Sequence, residues 1–281
     1  MMGYVPCLSY QEWLDYIVES ETFLARDLGA KVLYLDQLGS GASICHSKDH
    51  PHEAPEPHYY GERELTKRIR AAIPEDVAIC SESHPEDTRL QFQNGMYQGG
   101  VLRFFTRQIA VPLNLTRFAF PDVKCFNNIY QHVLKDHNWE QLKFVLFNGG
   151  AFFMPRGYDP AAYFGKEAMQ EHRKAFRILH ENVDAFMSSN VKPLVPTLIP
   201  GTFVNRFGAD EKVIWTVFNA NYRTVKGRLL EIESKPSARY VDLWKDAPIT
   251  TSTSGDIAAL VVEIGPREVA CIAEVAEAAG N

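Results

Sequence analysis

The stretch Val32-Leu33-Tyr34-Leu35-Asp36 decides how this chain reads. Its four apolar residues run without polar alternation, as expected of a strand covered on both faces in a parallel sheet. The run stops at an aspartate. The same pattern returns at Val77-Ala78-Ile79-Cys80 and stops at Ser81-Glu82. The sequence thus predicts two buried strands that each end in a carboxylate.

Ahead of the first strand, Ser9-Tyr10-Gln11-Glu12 has the form of a capping box. Leu14, Ile17, Val18, Leu24, Ala25 and Leu28 then recur at helical spacing until Gly29 closes the helix. Between the strands lie a polar loop rich in glycine and proline, from Gln37 to about His58, and a helix with Leu65, Ile69, Ala72 and Ile73 on one side. Strand, crossover helix and strand make a right-handed parallel unit. That unit belongs to the α/β class. Phe118–Phe120 and Lys143–Phe147 are further strand candidates, and a strong helix is expected from Lys166 to Met187. There is no internal repeat and no low-complexity tract.

From Pro196 the grammar changes. Val213–Phe218, Leu229–Ile232, Ala259–Ile264 and Val269–Ile272 read as short strands with turn signals between them, which suggests a small antiparallel β-sandwich. Pro193, Pro196 and Pro200 mark the boundary. The expected domains are residues 1–195, carrying the site, and 196–281.

Composition narrows the function. With 29 basic against 35 acidic residues the formal charge is −6, and no basic run offers a phosphate-binding stripe, so nucleic acid is not an expected partner. The longest apolar runs, such as Phe144–Phe147, fall far short of the ~18 residues of a membrane span. Met1–Leu8 lacks a signal-peptide pattern, so the cytoplasm is the default location. The cysteines Cys7, Cys45, Cys80, Cys125 and Cys271 form no C-x-x-C pair, which argues against a disulfide framework or a zinc ribbon.

Side chains at the C-terminal ends of parallel strands are where α/β barrels assemble active sites. Neighbouring strands lie ~4.8 Å apart, so if these two strands are adjacent, or nearly so, Asp36 and Glu82 can approach within the ~5–9 Å that glycoside hydrolysis requires of its two carboxyl groups. One must be ionised while the other holds a proton for the leaving oxygen. The competing structural roles are that Asp36 caps the following turn and that Glu82 pairs with Arg70 or Arg89. Glu86 and Asp87 lie near in sequence as further carboxylates.

The loop from Cys45 to His58 is the densest group of potential metal ligands in the chain, but it meets no recognised ligand spacing. No metal or other cofactor is therefore expected; the loop reads as one that contacts sugar hydroxyls or phosphate, with His46 and His52 as substrate contacts, the alternative being a solvated loop. Arg117, Asp122 and Asn148 follow or flank the later strand candidates and are further substrate-contact candidates. Their structural alternatives are an Arg117–Asp122 ion pair and a tight turn at Asn148-Gly149-Gly150. Tyr59, Tyr60, Tyr97 and Trp139 suit either sugar stacking or packing. No G-x-S-x-G elbow and no dinucleotide or P-loop glycine pattern is present.

Taken together, Val32–Gln37, the Cys45–His52 loop, Ala78–Glu82 and Val213–Asn219 resemble the later part of bacterial glycoside hydrolase barrels related in plan to the α-amylase and α-galactosidase superfamilies. The resemblance implies a partial or complete (β/α)8-type barrel followed by a small antiparallel β-sandwich. It implies Asp36 as nucleophile, Glu82 as general acid/base and a retaining cleavage of O-glycosidic bonds. Only about thirty residues precede Asp36, and the part before Val195 is shorter than the ~250 residues of a whole barrel. A C-terminal portion of a barrel is thus expected, with a partner chain or second copy completing the sheet. The alternatives are a non-catalytic carbohydrate-binding or assembly protein of the same descent, and a metal-dependent hydrolase built on the histidine loop.

Overall fold

The parallel strands expected at 32–35 and 77–80 are present and adjacent. A computed structural model of the chain describes residues 6–38, 43–98, 112–128, 140–153, 166–209, 212–235 and 238–276. It divides into two units, Met1–Gly99 with Val123–Phe126, and Gly100–Asp122 with Asn127–Asn281. The proline-marked break expected at 195/196 is not where this division falls.

In the first unit, helix α1 (Gln11–Arg26) leads to strand β1 (Val32–Leu35). The short strands β2 (Ile44–Cys45) and β3 (Glu56–Pro57) pair in the following loop, and α2 (Tyr59–Ala72) leads to β4 (Ala78–Ser81). The one-turn helix α3 (Asp87–Leu90) precedes β5 (Gly95–Tyr97). Strands β1, β4, β5 and the first residues of β6 (Lys124–Asn128) lie side by side in that order, each pair parallel.

Leu33 and Leu35 on β1, Ile79 on β4, and Leu65 and Ile69 on α2 form one core with Leu14 and Ala25 of α1. Each of these larger side chains stabilises the unit by roughly 1.5–3 kcal/mol through burial. The helix stripes expected from spacing are largely the ones used, although Leu24 and Leu28 stay exposed.

Two local expectations are corrected. The Ser9–Glu12 capping box does not form: Tyr10 is the N-cap of α1 and makes no side-chain cap bond. Nor is β1 covered on both faces, because Val32 is 58% and Tyr34 43% exposed while Leu33 and Leu35 are buried. Gly29 does end α1. Its φ of 70° lets the Ala30 N–H reach back to the Leu24 carbonyl at 3.0 Å.

Among the described residues of the second unit, α4 (Leu115–Ala119) comes first, where a strand was expected at Phe118–Phe120. Asn114 is its N-cap and accepts from the Arg117 N–H. Lys143–Phe147, also expected as a strand, belongs to α5 (Glu140–Phe147). The apolar run within it, Phe144–Phe147, fits a buried helix as well as a buried strand. Strand β7 (Ala151–Phe153) follows. The helix expected at 166–187 is present as α6 (Lys166–Glu181) and α7 (Val183–Met187), broken at Asn182, whose side-chain amide donates to the Ile178 carbonyl.

The rest is one eight-stranded antiparallel sheet. Its strands are β8 (Val191–Lys192), β9 (Thr202–Ala209), β10 (Lys212–Asn219), β11 (Val225–Glu233), β12 (Ala238–Asp242), β13 (Ala247–Ser254), β14 (Ile257–Ile264) and β15 (Val269–Ala276). They lie in the order β11-β14-β13-β12-β15-β10-β9-β8. Val204 of β9 and Leu229 of β11 share one apolar cluster although their strands stand near opposite ends of that order, so the sheet curls around this core. Its other face, with Phe207, Ile214 and Phe218, packs on Leu146, Phe147, Ile178 and Phe186 of α5, α6 and α7. That second core is why the helices before the prolines group with the sheet.

Candidate active site

Register places the two carboxylates. Tyr34 pairs with Cys80 and Leu35 with Ser81 in the β1–β4 ladder, and paired residues of parallel strands share a face. One step further, the Glu82 N–H donates to the Leu35 carbonyl at 3.2 Å, which carries the ladder past the last residues of both strands. Asp36 and Glu82 therefore leave neighbouring strands at the same level. On β4 and β5 Ser81 pairs with Met96, so the next level brings Tyr97 beside Glu82, and Tyr97 pairs with Phe126 of β6.

Between the carboxylates the chain takes an uncommon turn. Gln37 has φ 58°, the left-handed region that a β-carbon disfavours. In that conformation its N–H donates to Glu82 Oε2 at 2.6 Å. The arginines considered as partners of Glu82 are engaged elsewhere. Arg70 donates to the Val77 and Pro74 carbonyls, and Arg89 is paired with Glu62. Among the described residues Asp36 makes no ion pair and is exposed.

Both carboxylates line one cleft of about 590 Å³, together with Trp13, Glu21, Tyr34 and His58. Glu21 joins the cleft without a local sequence motif to mark it. It falls on the Leu14, Ile17, Ala25 side of α1, and partial burial pushes its carboxyl up from the ordinary range. A charge interrupting an apolar stripe was the signal. Beneath the cleft, Glu62 and Arg89 form an ion pair at 2.6 Å with both side chains almost fully buried, and Arg89 Nε donates to Thr66 Oγ1 at 2.9 Å. Glu86 is half-buried next to this pair, and burial pushes its carboxyl up as well. Asp87 is exposed at the start of α3.

The other expected contacts separate into kinds. His46 is exposed on the loop, whereas the His52 ring is enclosed by Cys7, Cys45 and His50. Arg117 is buried, and its guanidinium donates to the carbonyls of Gly149, Pro121 and Phe186 while lying over the Phe207 ring. Asn148 is buried too. Its amide oxygen accepts from the Asn114 N–H at 2.7 Å, and its NH2 donates to the Pro112 and Phe144 carbonyls, both at 2.9 Å. These two side chains hold the second unit's framework, and Gly149, at φ 59°, makes the turn that follows a helix and not a strand. Asp122 is exposed and precedes β6. Tyr59 and Tyr60 contact each other at the start of α2, with Tyr60 exposed. Trp139 lies outside the described residues.

No protein-family profile matches the chain, and no curated protein matches its sequence. Solved structures do resemble it. An Anoxybacillus α-amylase, described as a new glycosyl hydrolase subclass, aligns over 96% of this chain at TM-score 0.60 and 10% identity. A maltogenic α-amylase from Thermotoga neapolitana aligns over 95% at TM-score 0.62 and 13% identity. AmyP, solved with maltose, aligns over 97% at TM-score 0.59 and 12% identity. The fold is amylase-like. The chain spans 64% of the Anoxybacillus enzyme, 67% of the Thermotoga enzyme and 70% of AmyP. Among the described residues no helix is long and apolar enough to cross a membrane.

Proposed function

We propose that this chain is the catalytic part of a glycosidase that cleaves O-glycosidic bonds with retention, Asp36 acting as nucleophile and Glu82 as general acid/base. The observation that carries the reading is the β1–β4 register, which sends both carboxylates from adjacent strand ends into one cleft. A strand spacing of ~4.8 Å suits the ~5 Å carboxyl separation of a retaining enzyme better than the wider gap needed to seat a water. The substrate class we propose is an α-linked glucan, because AmyP binds maltose in a similar fold.

In this mechanism the exposed Asp36 carboxylate attacks the anomeric carbon, while Glu82 gives its proton to the departing oxygen. The C–O bond to the leaving group breaks as the Asp36–sugar ester forms. Water, deprotonated by Glu82, then releases the sugar and restores both groups. Tyr34 and Tyr97 flank the pair on the same face and offer ring surface to a sugar. His46, exposed on the loop, is the residue we propose for hydroxyl contacts, whereas Arg117 and Asn148 are assigned to the framework of the second unit.

The test uses aryl α-glucosides and maltooligosaccharides. Asp36→Asn and Glu82→Gln are each expected to lower kcat by about 10²–10⁴-fold while circular dichroism stays native. Azide should rescue the Asp36 variant with inverted product configuration. A natively folded chain that binds maltooligosaccharides but hydrolyses none of them would favour the carbohydrate-binding alternative.

A further inference from the structure

The loop between β1 and α2 meets the segment before α1 in a second cluster of reactive side chains, apart from the carboxylates. Cys7, Cys45, His50 and His52 each offer one ligand atom, and these four atoms lie within 4.8 Å of one another. Cys7 Sγ is 3.2 Å from His52 Nε2, and Cys45 Sγ is 3.2 Å from His50 Nδ1. We propose that Cys7, Cys45, His50 and His52 form a structural zinc site that ties the segment before α1 to this loop.

Donor type argues for zinc. Two thiolates and two imidazoles are the tetrahedral set that selects this ion over the harder cations, which take oxygen. Zn–S bonds of about 2.3 Å and Zn–N bonds of about 2.0–2.1 Å put the ligand atoms of a tetrahedron roughly 3.3–3.8 Å apart. The two closest spacings, both 3.2 Å, fall just below that range, and no pair of the four atoms is more than 4.8 Å apart. Four protein ligands leave no open position for water or substrate, so the ion acts as a staple and not as a Lewis acid.

The surroundings already orient the ligands. His52 Nδ1 lies 3.1 Å from the Glu53 carbonyl, so its N–H donates there and the Nε2 lone pair is turned towards Cys7. Glu56 Oε2 stands 3.9 Å from the same nitrogen. Cys45 sits on β2 directly across from Glu56 on β3, which fixes the loop's base. Tyr10 lies against the His50 ring, with centroids 5.5 Å apart. On the Cys7 side, Gly61 of α2 lets the Leu8 backbone pass so closely that a β-carbon there would collide with its carbonyl.

A staple at this place has a structural purpose. Pro6, Leu8, Ser43 and His58 belong to the two tied segments, and all four line the cleft that holds Asp36 and Glu82. The sequence hides the site because the loop supplies only three of the ligands, and Cys7 lies far upstream of Cys45.

Metal content tests the proposal without any activity assay. The whole chain, purified without chelator or polyhistidine tag, is expected to carry about one zinc ion by elemental mass spectrometry. Refolded with cobalt(II), it should show the intense visible bands of a tetrahedral site and a thiolate-to-cobalt charge-transfer band. Cys45→Ser and His50→Ala should lose most of the zinc, while His46→Ala, an exposed neighbour on the same loop, should retain it. Background zinc together with a featureless cobalt spectrum overturns the assignment. So does a Cys7–Cys45 disulfide found by mass spectrometry, or undiminished zinc in both ligand variants. If those variants fail to fold, the wild-type zinc content and cobalt spectrum still decide. Asp36→Asn and Glu82→Gln should leave the zinc content unchanged, so failure of the glycosidase reading and failure of this one give different results.

Discussion

The N–H of Gln37 donates to Glu82 Oε2 at 2.6 Å from a residue held at φ 58°. A left-handed backbone costs an L-residue roughly 1–2 kcal/mol, and here the conformation is what aims the donor at the carboxylate. Gln37 is thus a positioning residue. Gln37→Gly keeps the N–H and removes the β-carbon penalty, so it should raise stability by about 1 kcal/mol with kcat nearly unchanged. Gln37→Pro removes the donor and forbids the φ, and should cut kcat by about 10²-fold with little change in KM if the native fold is retained. Steady-state kinetics beside urea unfolding of each variant check both outcomes.

Arg89 and Glu62 form a buried pair, and removing one partner strands the other. Arg89→Ala should cost about 3–5 kcal/mol in chemical denaturation. The double change Glu62→Leu with Arg89→Met should recover most of that loss, because apolar side chains of similar volume need no desolvation.

Gly61→Ala places a methyl group against the backbone carbonyl of Leu8. A backbone atom cannot turn aside as a flexible side chain can, so the segment around Cys7 must move off α2. The expected cost is about 1–3 kcal/mol, read as a lowered urea midpoint.

Asp242 gives a pH dependence of defined sign. Burial pushes its carboxyl up, against the opposing effect of the Cys271 and Trp244 N–H groups that its Oδ1 accepts from. The folded state therefore holds this proton more tightly than the unfolded chain does. Its stabilising contribution is complete below the ordinary aspartate range and is lost as the pH rises through the raised folded value. Asp242→Asn keeps an oxygen for both N–H groups and cannot ionise. The Tm of the variant should gain on that of the wild type as the pH rises, in melts recorded across the acidic range.

Legibility in the sequence followed what each signal measures. β1 and β4 were readable because a strand that ends in a carboxylate carries both its length and its stop in four or five residues, and their pairing then fixed Asp36 against Glu82. Lys143–Phe147 and Phe118–Phe120 were not, since apolar content records burial and is silent about period in so short a run. The decisive marks there were Asn114 before one helix and Gly149 after the other. Arg117 and Asn148 drew a functional reading because polar residues near segment ends look alike whether they meet solvent or backbone carbonyls. Only the fold distinguishes these. Glu21 and Cys7 reach their partners through tertiary contact, which local spacing does not encode.

The Phe147 carbonyl at the end of α5 accepts from Asn205 Nδ2 at 3.0 Å and also from Thr216 Oγ1. Both donors come from the interior of the curled sheet, where neither is exposed. Cutting the chain at the prolines would orphan this amide and hydroxyl and wet the aromatic surface of Phe207 and Phe218. The smallest excisable module that carries the sheet must begin upstream of that helix, and any trimmed version starting later should be sticky and short-lived.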